Sequence, residues 1–448
     1  MRKRYFILLT GALILACIDN TIGTPDGRAS ASSPAGAVTG KAGYEVWVVD
    51  QSNTNGVAHG GTLYIYPGGG LDGAAPVTPE RIDLGAAVTT LCQANTAAVP
   101  VRPHMVFFNR TGSHAILSFV ASGHVVVFDA VTREPVACLR TSPGAGGARQ
   151  AHAAYPAPDD SYILVANQNG KLLERIDANF PSNSFQFNPA ATIDLVACLT
   201  PSGVLCENPL ERIDNAPICP IVTSDSKHAF VTLRGGGLFV VNARATPMRI
   251  VAEYDRSTVH GNGCGGVQVG SHMFLDSGGG TAGNMTEFDV YRWSVGAFGS
   301  SNTPNSPAPR LLFSDDVASR DAHGMAATTN RRYLWVADRA ANIFEVFGVG
   351  SGERMDPIQL VGPLSDDPTP DLIDVSPEGR LLFTTLRGPN PLSGDPHVST
   401  GSTPGLAVIR LAAAGRQGEM VAIHRISNID AGNVERADPH GIRVRALP

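Results

Sequence analysis

The apolar residues of this chain fall in short runs that alternate with polar ones in period two, and Gly/Asn-rich tips separate the runs. That is the pattern of half-buried strands joined by hairpins, and no stretch carries the longer period of an extended amphipathic helix. The runs recur as a unit: an apolar strand, a Gly/Asn turn, a second apolar strand. Clear copies are "SHAILSFVASGHVVVFDA" (113–130), "DSYILVANQNGKLLERIDA" (160–178), "SKHAFVTLRGGGLFVVNA" (226–243) and "RRYLWVADRAANIFEVFGV" (331–349). Looser copies occupy 43–69, 270–293 and 379–411, which brings the number to seven.

A repeat of roughly 45–65 residues holding about four strands is the mark of a β-propeller blade. The predicted fold is all-β, a seven-bladed β-propeller over residues 44–448, with an eight-bladed ring as the competing count. The first copy lacks an inner strand before "YEVWVVD", and the C-terminal "HGIRVRAL" is a strand with nothing after it. Joining the two completes the first blade, so the C-terminal strand is expected to close the ring.

The phrases "DVSPEGRLLFTTLRG" and "VTSDSKHAFVTLRGGGLFVVNARAT" resemble the YVTN-type propeller repeats of bacterial secreted proteins. The resemblance extends over most of 44–448 and implies a fold, not an activity. The N-terminus supplies a compartment. "MRKRYFILLTGALILAC" has a basic start, an apolar segment shorter than the roughly 20 residues of a membrane span, and a small residue before a cysteine. Residues 1–16 are read as a signal peptide. "ILAC" resembles the lipobox of bacterial lipoproteins, which implies lipid attachment at Cys17 and, with Ile18 rather than an aspartate following, an outer-membrane lipoprotein facing the periplasm or the surface. Leu15 departs from the usual pattern, leaving a plain secretory signal as the alternative. Residues 17–43 are small, polar and Gly/Pro/Ser-rich, suiting a flexible tether.

Composition narrows the partners. Net charge is −6 and no Lys/Arg cluster follows the first four residues, so nucleic acid is a poor partner. The Gly runs at 235–237 and 278–280 sit in hairpin tips with no following Lys-Ser/Thr, and no nucleotide cofactor is indicated. Beyond Cys17 there are six cysteines, an even number that favours disulfides in an exported protein. Cys198 and Cys206 flank a short loop and are expected to pair. Cys92 and Cys138 share a phase near the ends of outer strands and are a second candidate pair. Cys219 and Cys264, on adjacent blades, are read either as a disulfide or, less favoured, as metal ligands.

The histidines carry the candidate chemistry. Aligned on the second strand of each blade, His152, Cys219 and His323 each precede the matching position by ten residues, His104 by eleven and Cys264 by nine. His440 opens the closing strand, and Asp371-Leu372 holds the same phase in the seventh blade. That phase is the start of the innermost strand, where side chains from all blades face one axis. Imidazole and thiolate there suit copper or zinc. His104, His152, His323 and His440 are therefore the candidate metal ligands, with Cys219, Cys264, His260 and Asp371 behind them. Arg102, Arg149, Arg320 and Arg436 lie near these histidines in sequence and are candidate anion ligands; inter-blade ion pairing, for instance to Asp321 or Asp438, is the favoured alternative.

Three functions remain open. One is a lipid-anchored propeller whose His-lined channel mouth binds a transition metal, copper favoured, for redox or metal handling. Another is a non-redox propeller enzyme, lactonase- or lyase-like, using a pore histidine. A third is a non-catalytic scaffold at the outer membrane that binds a small molecule or protein at its rim.

Overall fold

Strand-forming runs of Val, Ile, Leu, Phe and Tyr settle into antiparallel ladders wherever a Gly- or Asn-containing tip lets the chain reverse. The computed structural model describes residues 43–73, 75–279, 286–300, 303–317, 319–392 and 400–447. The expected signal peptide, Cys17 and nearly all of the tether lie outside the described residues.

The described strands form seven antiparallel groups. Six begin with an inner strand: Pro103–Phe108, Ala151–Pro156, Pro217–Val222, Gly266–Val269, Arg320–Ala327 and Pro370–Val375. Each is followed outward in chain order by three further strands, except that the Ala151 group has four, and the Gly266 and Arg320 groups are joined by a short parallel pairing of Thr286 and Glu287 with Arg320 and Asp321. The remaining group is closed by the C-terminus. Pro439–Ala446 pairs antiparallel with Tyr44–Asp50, which pairs with Thr62–Pro67 and then Glu80–Asp83. The expected closure is present.

The groups pack face to face in cyclic succession, because successive side chains point to opposite faces and the middle strands carry consecutive apolar residues, so both faces are apolar. Ala115 and Leu117 pack with Trp47 and Leu63 of the group before, while Ile116 packs with Ile163 and Val165 of the group after. At the closure, Val46 and Val48 meet Phe383 and Leu406. The chain is a β-propeller.

Two short helices, Leu84–Ala87 and Thr89–Thr96, interrupt the strand pattern. Cys92 sits on the second helix rather than at a strand end, and bonds to Cys138 of an outer strand. Cys198 and Cys206 are also bonded, as expected. No helix among the described residues is long and apolar enough to cross a membrane.

Candidate metal centre

Six of the seven inner strands slip register at the same level. The shifts lie between Pro103 and Met105, Ala151 and Ala153, Pro217 and Pro220, Ala322 and Met325, and Pro370 and Ile373. The sixth lies between Pro439 and Ile442 of the closing strand. These bulges hold His104, His152, Cys219, His323, Asp371 and His440. A bulge turns its extra residue out of the ladder, and here each bulge re-aims one polar side chain at the axis. Proline begins four of these strands (Pro103, Pro217, Pro370 and Pro439), where no ladder donor is needed. Glycine follows two of the ligand candidates, His323 and His440, because neighbouring strands touch there. A Cβ on Gly324 would stand 2.2 Å from the Asp371 carbonyl oxygen, and one on Gly441 2.6 Å from that of His104. Hydroxyls on second strands pin the bulged backbone: Ser118 donates to the His152 carbonyl at 3.0 Å and Thr385 to that of His440 at 2.7 Å.

The four imidazoles form one continuous cluster. His104 stacks on His440 with ring centroids 3.8 Å apart, meets His152 edge-on at 4.5 Å, and His440 meets His323 edge-on at 5.2 Å. Gln51 settles the tautomer of His104. Its amide nitrogen donates to Asp438 Oδ2 at 2.7 Å, so its oxygen must accept from His104 Nδ1 at 2.8 Å. His104 Nε2 then presents a lone pair, 3.2 Å from His152 Nε2. His152 Nδ1 and His440 Nδ1 are buried without a hydrogen-bond partner. Burial holds His104 and His440 well below the ordinary imidazole range; for His323 burial acts first and Arg339 second, also downward. Neutral rings with unshared lone pairs are what a metal site requires.

Asp371 completes the arc. Its Oδ1 lies 2.6 Å from His323 Nδ1, yet the contact lacks the direction of an N–H···O bond, and neither atom has another hydrogen-bond partner. Its Oδ2 lies 3.8 Å from His440 Nε2. One donor atom each from His323, Asp371 and His440 falls within 4.8 Å of the others. Arg387 donates to Asp371 Oδ2 at 2.9 Å and, through two further nitrogens, to both oxygens of Asp438 at 2.6 and 2.8 Å. Arg339 holds Asp321 in the same two-pronged way at 2.7 and 3.1 Å. Burial opposes ionisation of Asp371, but the imidazoles of His440 and His323 and the Arg387 guanidinium outweigh it and keep the carboxyl well below its usual range. Three carboxylates (Asp321, Asp371, Asp438) against two guanidiniums leave this arc one charge negative, which favours a cation.

The opposite arc holds sulfur. Cys219 and Cys264 are free thiols with Sγ atoms 2.8 Å apart, so the disulfide expected between them is not formed; the two chains approach closely but the sulfurs stay separate. One donor atom of His152 completes a second group within 4.8 Å. Burial raises the Cys219 pKa, but hydrogen bonding with Cys264 and His152 outweighs it and brings it down to about 6, while burial pushes Cys264 well up.

The other candidates do not join the cluster. His260 is 41% exposed on its side chain and pairs with Asp289 at 2.7 Å. The four candidate arginines do not converge on an anion. Arg102 donates to the Leu392 carbonyl, Arg149 to that of Thr141, Arg320 to Glu345, and Arg436 to Asp430. Their expected partners Asp321 and Asp438 are held instead by Arg339 and Arg387, which the sequence reading passed over. Their signal was present: "VADRA" and "TTLRG" place an arginine just after the second strand, as "VTLRG" does for Arg234.

No family model matches the chain, and no curated protein matches it. The YVTN-type likeness thus stands at the level of the fold. Solved propellers do resemble it. A hypothetical selenium-binding protein from Sulfolobus tokodaii aligns with TM-score 0.57 at 9% identity, covering 90% of this chain and 94% of that one. The periplasmic gluconolactonase of Pseudomonas aeruginosa aligns with TM-score 0.55 at 14% identity, covering 90% and 100%. A β-propeller domain from Myceliophteria thermophila aligns with TM-score 0.50 at 12% identity, covering 76% and 89%.

Proposed function

We propose that this propeller is an exported, lipid-anchored protein whose axial cluster binds a divalent transition metal, copper favoured over zinc, through His323, Asp371 and His440, with His104 beside them. The observation that carries the reading is that one donor atom each of His323, Asp371 and His440 lies within 4.8 Å of the others in a buried, net-negative group, with His323 Nδ1 2.6 Å from Asp371 Oδ1. Two imidazoles and one carboxylate leave positions open for water or a small molecule. Asp438 and Arg387 would fix the orientation of Asp371, and Gln51 that of His104, as second partners of ligating groups commonly do. A bound metal would supply Lewis-acid or one-electron chemistry; the chain's own part is to hold neutral imidazoles and an ionised Asp371 in place.

The test is elemental analysis of tag-free protein purified with and without supplied copper or zinc, beside the His323→Ala/His440→Ala variant. The reading requires about one equivalent in the parent and its loss in the variant; parent protein that stays far below one equivalent after reconstitution would sink it. The gluconolactonase among the similar structures supports a second reading, in which the same centre polarises a lactone carbonyl. Turnover of gluconolactone by the parent, absent from the His323→Ala/His440→Ala variant, would select it.

A further inference from the structure

The two arcs of the axial cluster differ in chemistry, and His104 stands between them, 3.2 Å from His152 on one side and stacked on His440 on the other. We propose that His152, Cys219 and Cys264 form a second metal site, selective for a soft ion of the monovalent copper class and open only while both sulfurs are reduced. The inference extends the metal reading of this channel but uses none of the three ligands, His323, Asp371 and His440, of the first site.

The donor set argues for a soft ion. Two sulfurs and one imidazole nitrogen form a site that prefers monovalent copper to hard cations, unlike the two imidazoles and carboxylate of the other arc. The three donor atoms already lie within 4.8 Å of one another, on the inner edges of the third, fourth and fifth blades. His152 brings a ring nitrogen, Nδ1, that has no hydrogen-bond partner although the residue is only 6% exposed.

The sulfur spacing argues for the redox condition. A disulfide needs about 2.05 Å between sulfurs. Two thiolates on a tetrahedral ion at about 2.3 Å would stand about 3.8 Å apart. The observed 2.8 Å lies between the two, within reach of either by small side-chain rotations. A peroxide suffices to close the pair. The Cys219 sulfur attacks one peroxide oxygen, the O–O bond breaks, and a sulfenic acid and one water result. The Cys264 sulfur then displaces the sulfenic oxygen, which leaves as a second water, and the S–S bond forms. Two thiols and one hydrogen peroxide thus give one disulfide and two waters. The disulfide has no thiolate to offer, so oxidation removes two of the three ligands. Cys219 is fully buried and Cys264 2% exposed, so the oxidant has to reach the sulfurs along the axis, where His104 and His152 each keep 6% exposure.

The experiment is an anaerobic titration with monovalent copper against a chromogenic copper(I) chelator, read also by thiolate-to-copper absorption in the near ultraviolet. Reduced parent protein should take up one tightly held equivalent with that absorption. The Cys219→Ser/Cys264→Ser variant should lack it, as should parent protein treated with hydrogen peroxide, freed of oxidant and then titrated. Re-reduction of the treated parent should restore it, and this arm needs no substitution. The His323→Ala/His440→Ala variant should keep the copper(I) equivalent, so failure of the first site leaves this result standing. Peroxide-treated parent that still binds, or a serine variant that binds like the parent, would overturn the proposal.

Discussion

Arg387→Met would test whether one buried cation joins ring closure to the axial site. The guanidinium is 1% exposed and reaches Asp438 at 2.6 and 2.8 Å and Asp371 at 2.9 Å. Asp438 directly precedes the closing strand, and Asp371 lies in the bulge of the seventh blade. Methionine fills much of the volume but leaves two buried carboxylates without their shared partner. Breaking a buried pair in this way typically costs about 3–5 kcal/mol, because the stranded charge keeps its desolvation cost. For a ring of roughly 400 residues, an unfolding entropy near 2.1 cal/mol/K per residue converts that loss to a fall of about 4–6 °C in Tm. Urea denaturation of the parent, Arg387→Met, Asp438→Asn and the double variant would give the energies. The double variant should be less destabilised than the sum of the singles by about 2 kcal/mol or more, since neutralising Asp438 removes one stranded charge. An Arg387→Met protein within about 1 kcal/mol of the parent, or strictly additive singles, would refute the reasoning.

Other consequences follow from the same contacts. Ile442 of the closing strand is 1% exposed, so Ile442→Ala should cost about 2–5 kcal/mol. Deleting 439–448 should cost more, since it also removes the strand pairing and the Arg445–Glu45 pair at 3.0 Å; an unchanged urea midpoint would contradict ring closure. Burial lowers the His124 pKa from 6.5 to about 4. Below pH 6.5 the unfolded chain takes up a proton that the folded one refuses, so stability falls as pH drops from 6.5 towards 4, by on the order of 3 kcal/mol at most. His124→Gln should flatten that part of the pH profile relative to the parent; identical slopes would count against it. Cys17→Ala should release the protein from the membrane fraction of expressing cells, and continued membrane association would refute a lipid anchor.

The fold was legible because alternation, turn residues and the unpaired C-terminal strand all point to one ring. The phase of His104, His152, His323 and His440 was equally legible, since repeats keep a residue at a constant distance from the next strand. What was not legible is geometry set by the bulges. A register slip has no residue signature of its own, since proline precedes only four of the six and glycine follows the ligand in only two, so the sequence could not say that six side chains turn onto one axis. Arg339 and Arg387 were missed because attention to arginines close to histidines in sequence favoured Arg102, Arg320 and Arg436. The partners that matter come from the second strand of the blade, across the ladder. His260 failed for the converse reason: closeness to Cys264 along the chain does not survive the turn between them.

The proposed metal site lies between the sixth, seventh and first blades. Anomalous diffraction from crystals of metal-loaded protein, collected on either side of the copper or zinc edge, measures this directly. The account predicts a strong peak about 2.0–2.2 Å from a nitrogen of His323, a nitrogen of His440 and an oxygen of Asp371. A loaded crystal with no peak there, or with its strongest peak beside an exposed pair such as His260 and Asp289, would contradict it.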